Sequence, residues 1–515
     1  MNSRLTSPEV VFLHSDDNIC VAARRLEAGT QLNVQGRKVT TAEPIKLGHK
    51  LAVEAIAEGK FVRKYGQIIG FATKPIKAGE WVHSHNLAQG EFERDYAKCQ
   101  AIPTPPEPLT GRTFEGYRRA DGKVGTRNYI GIISSVNCSA TVAKYIADRF
   151  TKDVLKQFPN VDGVVPFRHG AGCGMQFGGL KHQLLNRTMA GIAKHPNIGG
   201  YLLIGLGCEQ GAMGYLVESQ KLYQIDGGQA KLPNVLSMQD LGGTVKSIEA
   251  GVKMVAELLP RVNSYRRETI PASEIILGTN CGGSDGNSGI TANAALGVAS
   301  DMLVAAGGGS VLAETTEVYG AEHLLTRRAV NTAVADKLLE RIQWWLWHAG
   351  VYGVELDSNP SVGNKEGGLT TIAEKSLGAV AKAGSTALVD VYQYAEPITS
   401  KGFTFMDTPG FDPPSVTGLV AGGCNMVVFT TGRGSCYGCK PVPSIKVASN
   451  TPMYERMLDD MDLNAGEILN GRHVDEVGRE IFEEILAVAS GKPTKSEVHG
   501  YGDEEFVPWQ VGPTL

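Results

Sequence analysis

The chain reads as an α/β protein, a small β-rich N-terminal domain followed by two α/β domains with mostly parallel, Rossmann-like sheets. Three observations predict this. Residues 9 to about 90 are short apolar runs divided by glycine turns. From Gly116 a strand, a loop and a helix recur three times, and a long α/β stretch follows Ile275-Ile276-Leu277.

Taken in order, Val10-Val11-Phe12-Leu13, Ile19-Cys20-Val21-Ala22, Lys50-Leu51-Ala52-Val53 and the run from Gln67 to Ala72 are the N-terminal strands. The phrases L-E-A-G-T at 26–30 and I-K-A-G-E at 76–80 read as one turn used twice. His49 lies beside a glycine turn, and His83 and His85, two apart, share one face if extended. The stretch 100–112 carries four prolines and predicts a stiff linker. The expected domains are therefore 1–99, 113–270 and 271–515.

Three successive strands of the middle domain end in loops bearing Cys138, Cys173 and Cys208. A fourth thiol, Cys281, follows a strand in N-C-G-G-S-D-G-N-S-G-I-T-A-N. Loops after strand C-termini converge on one crevice in open α/β sheets, so the four sulfurs are expected to line a common cleft. Such a set suits a soft metal or an iron–sulfur cluster. The glycine-rich loop also lets backbone N–H groups approach a ligand, with Cys281 a soft donor and Asp285 a hard one. A second polar loop, 358–370, centres on Asn364 and Lys365, and Glu314 and Glu317 stand three apart. The Trp344-Trp345-Leu346-Trp347 run reads as core or subunit interface. The C-Y-G-C of Cys436 and Cys439 is a lone pair with either a structural or a ligand role.

The gross numbers narrow the class. Net charge is −4 with 20% charged residues, which leaves no basic footprint for nucleic acid. No apolar run approaches a membrane span and no secretory leader is evident, so a soluble, cytoplasmic protein is expected. Nine cysteines in 515 residues argue for reduced thiols rather than a disulfide scaffold.

Several ordered motifs carry a resemblance to the altronate/galactarate dehydratase family along essentially the whole chain. They are G-H-K at 48–50, K-Y-G at 64–66, H-S-H-N at 83–86, E-G-Y-x-R-x-D-G-x-V-G-T-R-N at 115–128, G-L-G-C-E at 205–209, C-G-G-S-D-x-x-S-G-I-T-A-N at 281–293, N-P-S-x-G-N-K-x-G-G at 359–368 and T-G-R-G at 431–434. The resemblance implies an N-terminal SAF domain and a lyase that removes water from a hexonate or hexarate to give a 2-keto-3-deoxy acid. It also implies dependence on Fe(2+) or another divalent metal, and homo-oligomers are expected. After T-G-R-G the chain departs from the family pattern, reading Ser435-Cys436-Tyr437-Gly438-Cys439-Lys440. Sulfolactate sulfo-lyases share the same modules, so the leaving group stays open between water and sulfite.

Such chemistry needs a base, a grip on the carboxylate and stabilisation of an enediolate. Base candidates are His49, His85, His169 and Lys365, with Asp285 a further catalytic candidate. Arg127, Asn128, Ser284, Asn364, Lys365, Arg433 and Lys446 are the expected substrate contacts, arginine being suited to a bidentate hold. Metal ligands are expected among Cys138, Cys173, Cys208, Cys281, His83 and His85. An imidazole supplied by the N-terminal domain would make that domain a lid. Two other classes compete. A dinucleotide-dependent oxidoreductase lacks its G-x-G-x-x-G after a first strand, and a non-catalytic ligand-binding protein would leave the thiols inert.

Overall fold

The computed structural model describes residues 9–90, 95–226 and 229–515, so the expected start of the N-terminal domain at 1–8 lies outside the described residues. The N-terminal part is β-rich. An antiparallel four-stranded sheet runs in the order Val10–Val11, Ile19–Ala22, Lys50–Ala52, Trp81–Val82, beside a three-stranded sheet of Phe61–Lys64, Gln67–Ala72 and Leu87–Ala88. The strand Gln31–Val34 alternates exposed and buried residues, as expected of a hairpin with one wet face.

The middle sheet is parallel and four-stranded, in the order Gly163–Phe167, Tyr129–Ser134, Ile198–Gly205, Asn234–Ser237. Tyr129–Ser134 is buried throughout, the signature of a strand covered on both faces. Helices Asn137–Ala147, Leu180–Ala193 and Thr244–Asn263 supply the cover. A small antiparallel sheet, Val124–Gly125, Thr113–Arg118 and Arg267–Pro271, ties the two ends of this region together.

The C-terminal sheet has seven parallel strands, in the order Leu388–Tyr392, Gly402–Met406, Gly309–Leu312, Ile276–Cys281, Met426–Thr431, Ser444–Ala448, Leu463–Asn464. Chain order reverses direction between Ile276–Cys281 and Met426–Thr431. That switch point opens a crevice beyond the strand C-termini, the place where α/β sheets bind ligands. The middle sheet has its own switch point, between Tyr129–Ser134 and Ile198–Gly205.

The predicted linker is extended but not free. Cys99 N–H, Ala101 N–H and Leu109 N–H donate to the carbonyls of Thr326, Arg327 and Ala305, which lays it along the C-terminal region. The lid expectation needs correction for a related reason. One hydrophobic core contains Val21, Ile69 and Leu87 from the N-terminal sheets together with Leu312, Phe403 and Phe405 from the C-terminal one. Swinging the N-terminal domain away would expose that shared apolar surface to water, so it is docked rather than hinged. Of the tryptophan run, Trp345 is fully buried and stacks on Trp509 at 5.2 Å, whereas Trp347 is 62% exposed. Among the described residues no helix is long and apolar enough to cross a membrane.

Candidate active site

The switch-point crevice of the seven-stranded sheet is where the N-terminal domain docks. Gly286 and Gly368 make the docking sterically feasible. A Cβ on Gly286 would stand 2.0 Å from the Gly48 carbonyl oxygen, and one on Gly368, at φ +101°, would stand 2.4 Å from it. The dock is electrostatically latched. Lys50 Nζ and Lys64 Nζ, both fully buried, donate to the two carboxylate oxygens of Glu374 at 2.8 and 2.9 Å. Lys50 also donates to the Gly368 carbonyl at 2.6 Å and Lys64 to that of Gly286 at 3.2 Å. Burial alone would raise the Glu374 carboxyl, but the two ammonium groups outweigh it and hold the group well below the carboxylate range.

Above the latch, three imidazoles and an indole gather. His49 and His83 stack at 5.4 Å, and Trp81 lies 4.9 Å from His83 and 5.0 Å from His85. His49 is engaged on both nitrogens: Nδ1 accepts from Trp81 Nε1 at 3.1 Å, and Nε2 faces the Glu366 carbonyl at 3.1 Å. Burial pushes its pKa down to about 4. His83 Nε2 meets the Lys365 carbonyl at 2.9 Å and Nδ1 meets Ser84 Oγ at 3.0 Å. His85 is exposed and, among the described residues, makes no hydrogen bond from its ring.

Facing them are the loops of the C-terminal domain. Gly432 N–H and Arg433 N–H donate to the Gly283 carbonyl, pinning T-G-R-G against C-G-G-S-D. Asp285 is saturated, accepting from Ser288 Oγ, Ser449 Oγ and Asn450 Nδ2 at 2.8 to 3.0 Å; it braces the loop and is not a free donor to a ligand. Asn364 caps its helix and donates from Nδ2 to the Ser284 carbonyl at 2.8 Å. Left over are Ser284 Oγ and both polar side-chain atoms of Asn287, buried and without partners. Orphaned polar atoms in a native fold call for a ligand or water. Arg433 is exposed with one ion pair, to Glu366 at 3.1 Å, and the half-buried Lys365 ammonium makes no hydrogen bond. The seam thus offers an unengaged imidazole, unpaired amide and hydroxyl groups, and cations. A cavity of about 320 Å³, lined by Arg187, Lys194 and Glu274 among others, lies between the middle and C-terminal sheets, away from these loops.

Other expected site residues are placed elsewhere. Arg127 is buried, grips Glu497 through Nε and Nη2 at 2.7 and 2.9 Å, and donates to the carbonyls of Thr126, Val488 and Lys492. Every donor is used to fasten the C-terminal segment, so the arginine has none left for substrate. Arg127→Lys is expected to cost about 1–3 kcal/mol through unsatisfied carbonyls and carboxylate, lowering the thermal midpoint while leaving KM for the substrate unchanged. Asn128 is buried and spent on Arg119 Nη1 and on the carbonyls of Asn160 and Val262. Lys446 is buried and donates to the Tyr437 carbonyl at 3.0 Å and to Ser496 Oγ. His169 bonds the Ser134 carbonyl at 2.7 Å and accepts from Ala171 N–H; burial lowers its pKa to about 4, which suits a structural imidazole.

The expectation that four sulfurs line one cleft is corrected by the topology. Cys281 ends a strand of the seven-stranded sheet and is buried, while Cys138, Cys173 and Cys208 are exposed on the four-stranded one. Among the described residues the one group of three or more potential metal donors within 4.8 Å of one another is Cys281, Glu314 and Glu317. A thiolate with two carboxylates is a chemically reasonable set for a borderline ion. Its places are taken, however. Lys382 Nζ lies 2.8 Å from the sulfur and 2.6 Å from Glu314, and Lys375 Nζ lies 2.6 Å from Glu317. Burial, then the neighbouring Glu314, raises the thiol to about 12, and burial raises the Glu314 carboxyl to about 8 against the pull of Lys382, so thiol, carboxyls and ammonium groups form one closed network. The set as arranged fits an ion-pair network and not a resident cation. Glu314 and Glu317 do meet, but not as a pair on one helix face: Glu314 stands at φ +65° before a short 3-10 turn, Thr315–Glu317, and nothing in the spacing revealed Lys375 and Lys382 as their partners.

Family models match in three consecutive pieces: an altronate/galactarate dehydratase SAF domain over residues 8–90, the second domain of D-galactarate dehydratase/altronate hydrolase over 116–263, and the C-terminal D-galactarate/altronate dehydratase region over 272–514. The chain is 40% identical over 494 residues to a galactarate dehydratase (L-threo-forming) of Escherichia coli, covering 94% of this chain and 93% of that one. It is 36% identical to an altronate dehydratase of Bacillus subtilis over 98% of this chain and 99% of that one. A (2R)-sulfolactate sulfo-lyase subunit beta of Chromohalobacter salexigens is 32% identical over 78% of this chain and 97% of its own length.

Proposed function

Because the chain belongs to the D-galactarate/altronate dehydratase family, we propose that it is a hydro-lyase removing water from a six-carbon sugar acid of the altronate or galactarate type. The product on this reading is a 2-keto-3-deoxy acid. The observation that carries the site assignment is the seam itself, where Ser284 Oγ and the Asn287 amide are buried without partners between the imidazoles of one domain and the cations of another.

The residues divide the work as follows. Arg433 and Lys365 hold the substrate carboxylate, and their charge stabilises the enediolate that forms as the proton leaves C2. His85 takes that proton on a ring nitrogen, since His49 and His83 have both nitrogens engaged. Ser284 and Asn287 bind substrate hydroxyls. The C3 hydroxyl departs as water, taking the proton that His85 removed from C2, and the C2–C3 enol tautomerises to the ketone. His49, His83, Asp285 and Asn364 position these groups without touching substrate. Divalent-metal dependence belongs to this reading as well, but the Cys281 network supplies no place for the ion while Lys382 remains there.

The test is a panel of altronate, galactarate, other hexonates and sulfolactate, assayed for 2-keto acid and for sulfite. Keto acid from a hexonate or hexarate is expected. Sulfite from sulfolactate alone would transfer the reading to the sulfo-lyase. Chelation followed by Fe(2+) add-back measures metal dependence, and full turnover after chelation would remove the ion from the reading.

A further inference from the structure

We propose that Cys138, Cys173 and Cys208 jointly hold an iron–sulfur cluster at the switch point of the four-stranded sheet. The dehydratase seam uses none of these thiols, and the inference stands whether or not the substrate assignment does.

The topology brings the three loops together. Ile133 is paired in parallel with Phe167 on one side and Leu203 on the other, so the strands end side by side. Their loops are then laced by hydrogen bonds: Asn137 N–H to the Ala171 carbonyl at 2.8 Å, Ser135 Oγ to Glu209 at 2.6 Å, and Gly211 N–H to the Gly172 carbonyl at 3.4 Å. Each of these contacts is made within three residues of one of the thiols. Gly172, at φ +106°, enforces the approach, because a Cβ there would stand 2.5 Å from the Ser135 carbonyl oxygen.

The surroundings suit a cluster. All three thiols are exposed, Cys208 Sγ accepting from Gln239 Nε2 at 3.4 Å, and a Cβ on Gly170, Gly174 or Gly214 would meet no atom within 4 Å, so the loops that carry the sulfurs are open to solvent. Cys138 sits in the first turn of the helix Asn137–Ala147, where the flanking Asn137 N–H and Ser139 N–H donate to the Ala171 and Val136 carbonyls and fix the turn that carries it. Phe177, Leu180 and Tyr215 stand 51%, 49% and 39% exposed on the neighbouring elements, with Phe177 and Tyr215 in edge contact at 4.8 Å.

Spacing argues against a single tetrahedral ion. Metal–sulfur bonds of about 2.3 Å require the donors of a mononuclear tetrahedral site to lie within about 4 Å of one another. The three sulfurs do not gather within 4.8 Å of one another, as a single ion would need. A cluster places each thiolate on a different iron and spans the wider gap. Three thiolates on a four-iron cluster leave one iron without a cysteine, open to a non-protein ligand.

The experiment uses the full chain, expressed with iron and purified without oxygen. Iron, acid-labile sulfide, the visible charge-transfer band and the electron paramagnetic resonance spectrum after dithionite reduction are measured. The expected result is about four iron and four sulfide per chain, reduced to background by Cys138→Ser, Cys173→Ser or Cys208→Ser with an unchanged circular dichroism spectrum. Cys436→Ser and Cys281→Ser should leave metal and sulfide content intact. Iron without sulfide, zinc in place of iron, a disulfide among the three thiols, or a cluster surviving in the triple variant would each overturn the proposal.

Discussion

Glu374→Gln is expected to destabilise the protein by about 3–5 kcal/mol, the range for removing one partner of a buried ion pair. The magnitude follows from what is left behind. Lys50 and Lys64 are fully buried and Glu374 is the carboxylate that both ammonium groups contact, so the amide would strand two charges in a dry interface. Thr370 Oγ1 and Thr370 N–H also donate to the same carboxylate, and their acceptor would be weakened too. The damage is local to the dock, so limited proteolysis should release the N-terminal domain as a fragment before the α/β domains are cut. Cleavage at the wild-type rate would show that the shared hydrophobic core alone holds the dock.

The same carboxylate sets a pH dependence with a definite sign. Its folded pKa lies below its ordinary value of 4.5, so its contribution is complete above about pH 4.5 and is lost as pH falls through the depressed folded value. Wild-type stability should therefore drop on acidification below pH 4.5, and Glu374→Gln should remove that part of the slope. Acid denaturation midpoints of the two proteins measure the difference.

The latch also illustrates what the sequence concealed. The fold class was legible because periodicity is local: glycine-punctuated β runs in one region and strand–loop–helix units in the others leave their pattern within a dozen residues. The glycine-rich loops at 281–289 and 363–368 were legible for a similar reason, since loss of side-chain bulk is visible residue by residue. Charge partners are not. Lys50 and Glu374 lie 324 residues apart, and Arg127 and Glu497 lie 370 apart. Arg127 looked like a substrate grip because a motif arginine and a structural arginine are identical until the chain closes on one of them. The four-thiol cleft failed on the same ground. Each cysteine's place at a strand end was readable, but two sheets share the chain, and which edge faces which crevice is a property of strand order.

His85→Ala is expected to lower kcat by about 10²–10⁴-fold, the usual contribution of a positioned general base. The argument rests on elimination within the imidazole group. His49 and His83 each have both ring nitrogens committed to the protein, and His169 is buried beneath a loop of another sheet. His85 lies tilted against Trp81, exposed and with no hydrogen bond on its ring among the described residues. Because the residue is exposed and unbonded, its removal should leave the thermal midpoint within the small range typical of surface substitutions, about ±0.5 kcal/mol. KM should change little, since the carboxylate is held by Arg433 and Lys365. A structural role would move the midpoint together with the rate, whereas a base leaves a chemical trace. In deuterium oxide the variant should lose exchange of the C2 hydrogen in parallel with turnover, and added imidazole should restore part of both. If turnover and exchange in His85→Ala equal those of the wild type, the proton is taken by another group, and the Lys365 ammonium, half-buried with no hydrogen bond of its own, becomes the next residue to replace.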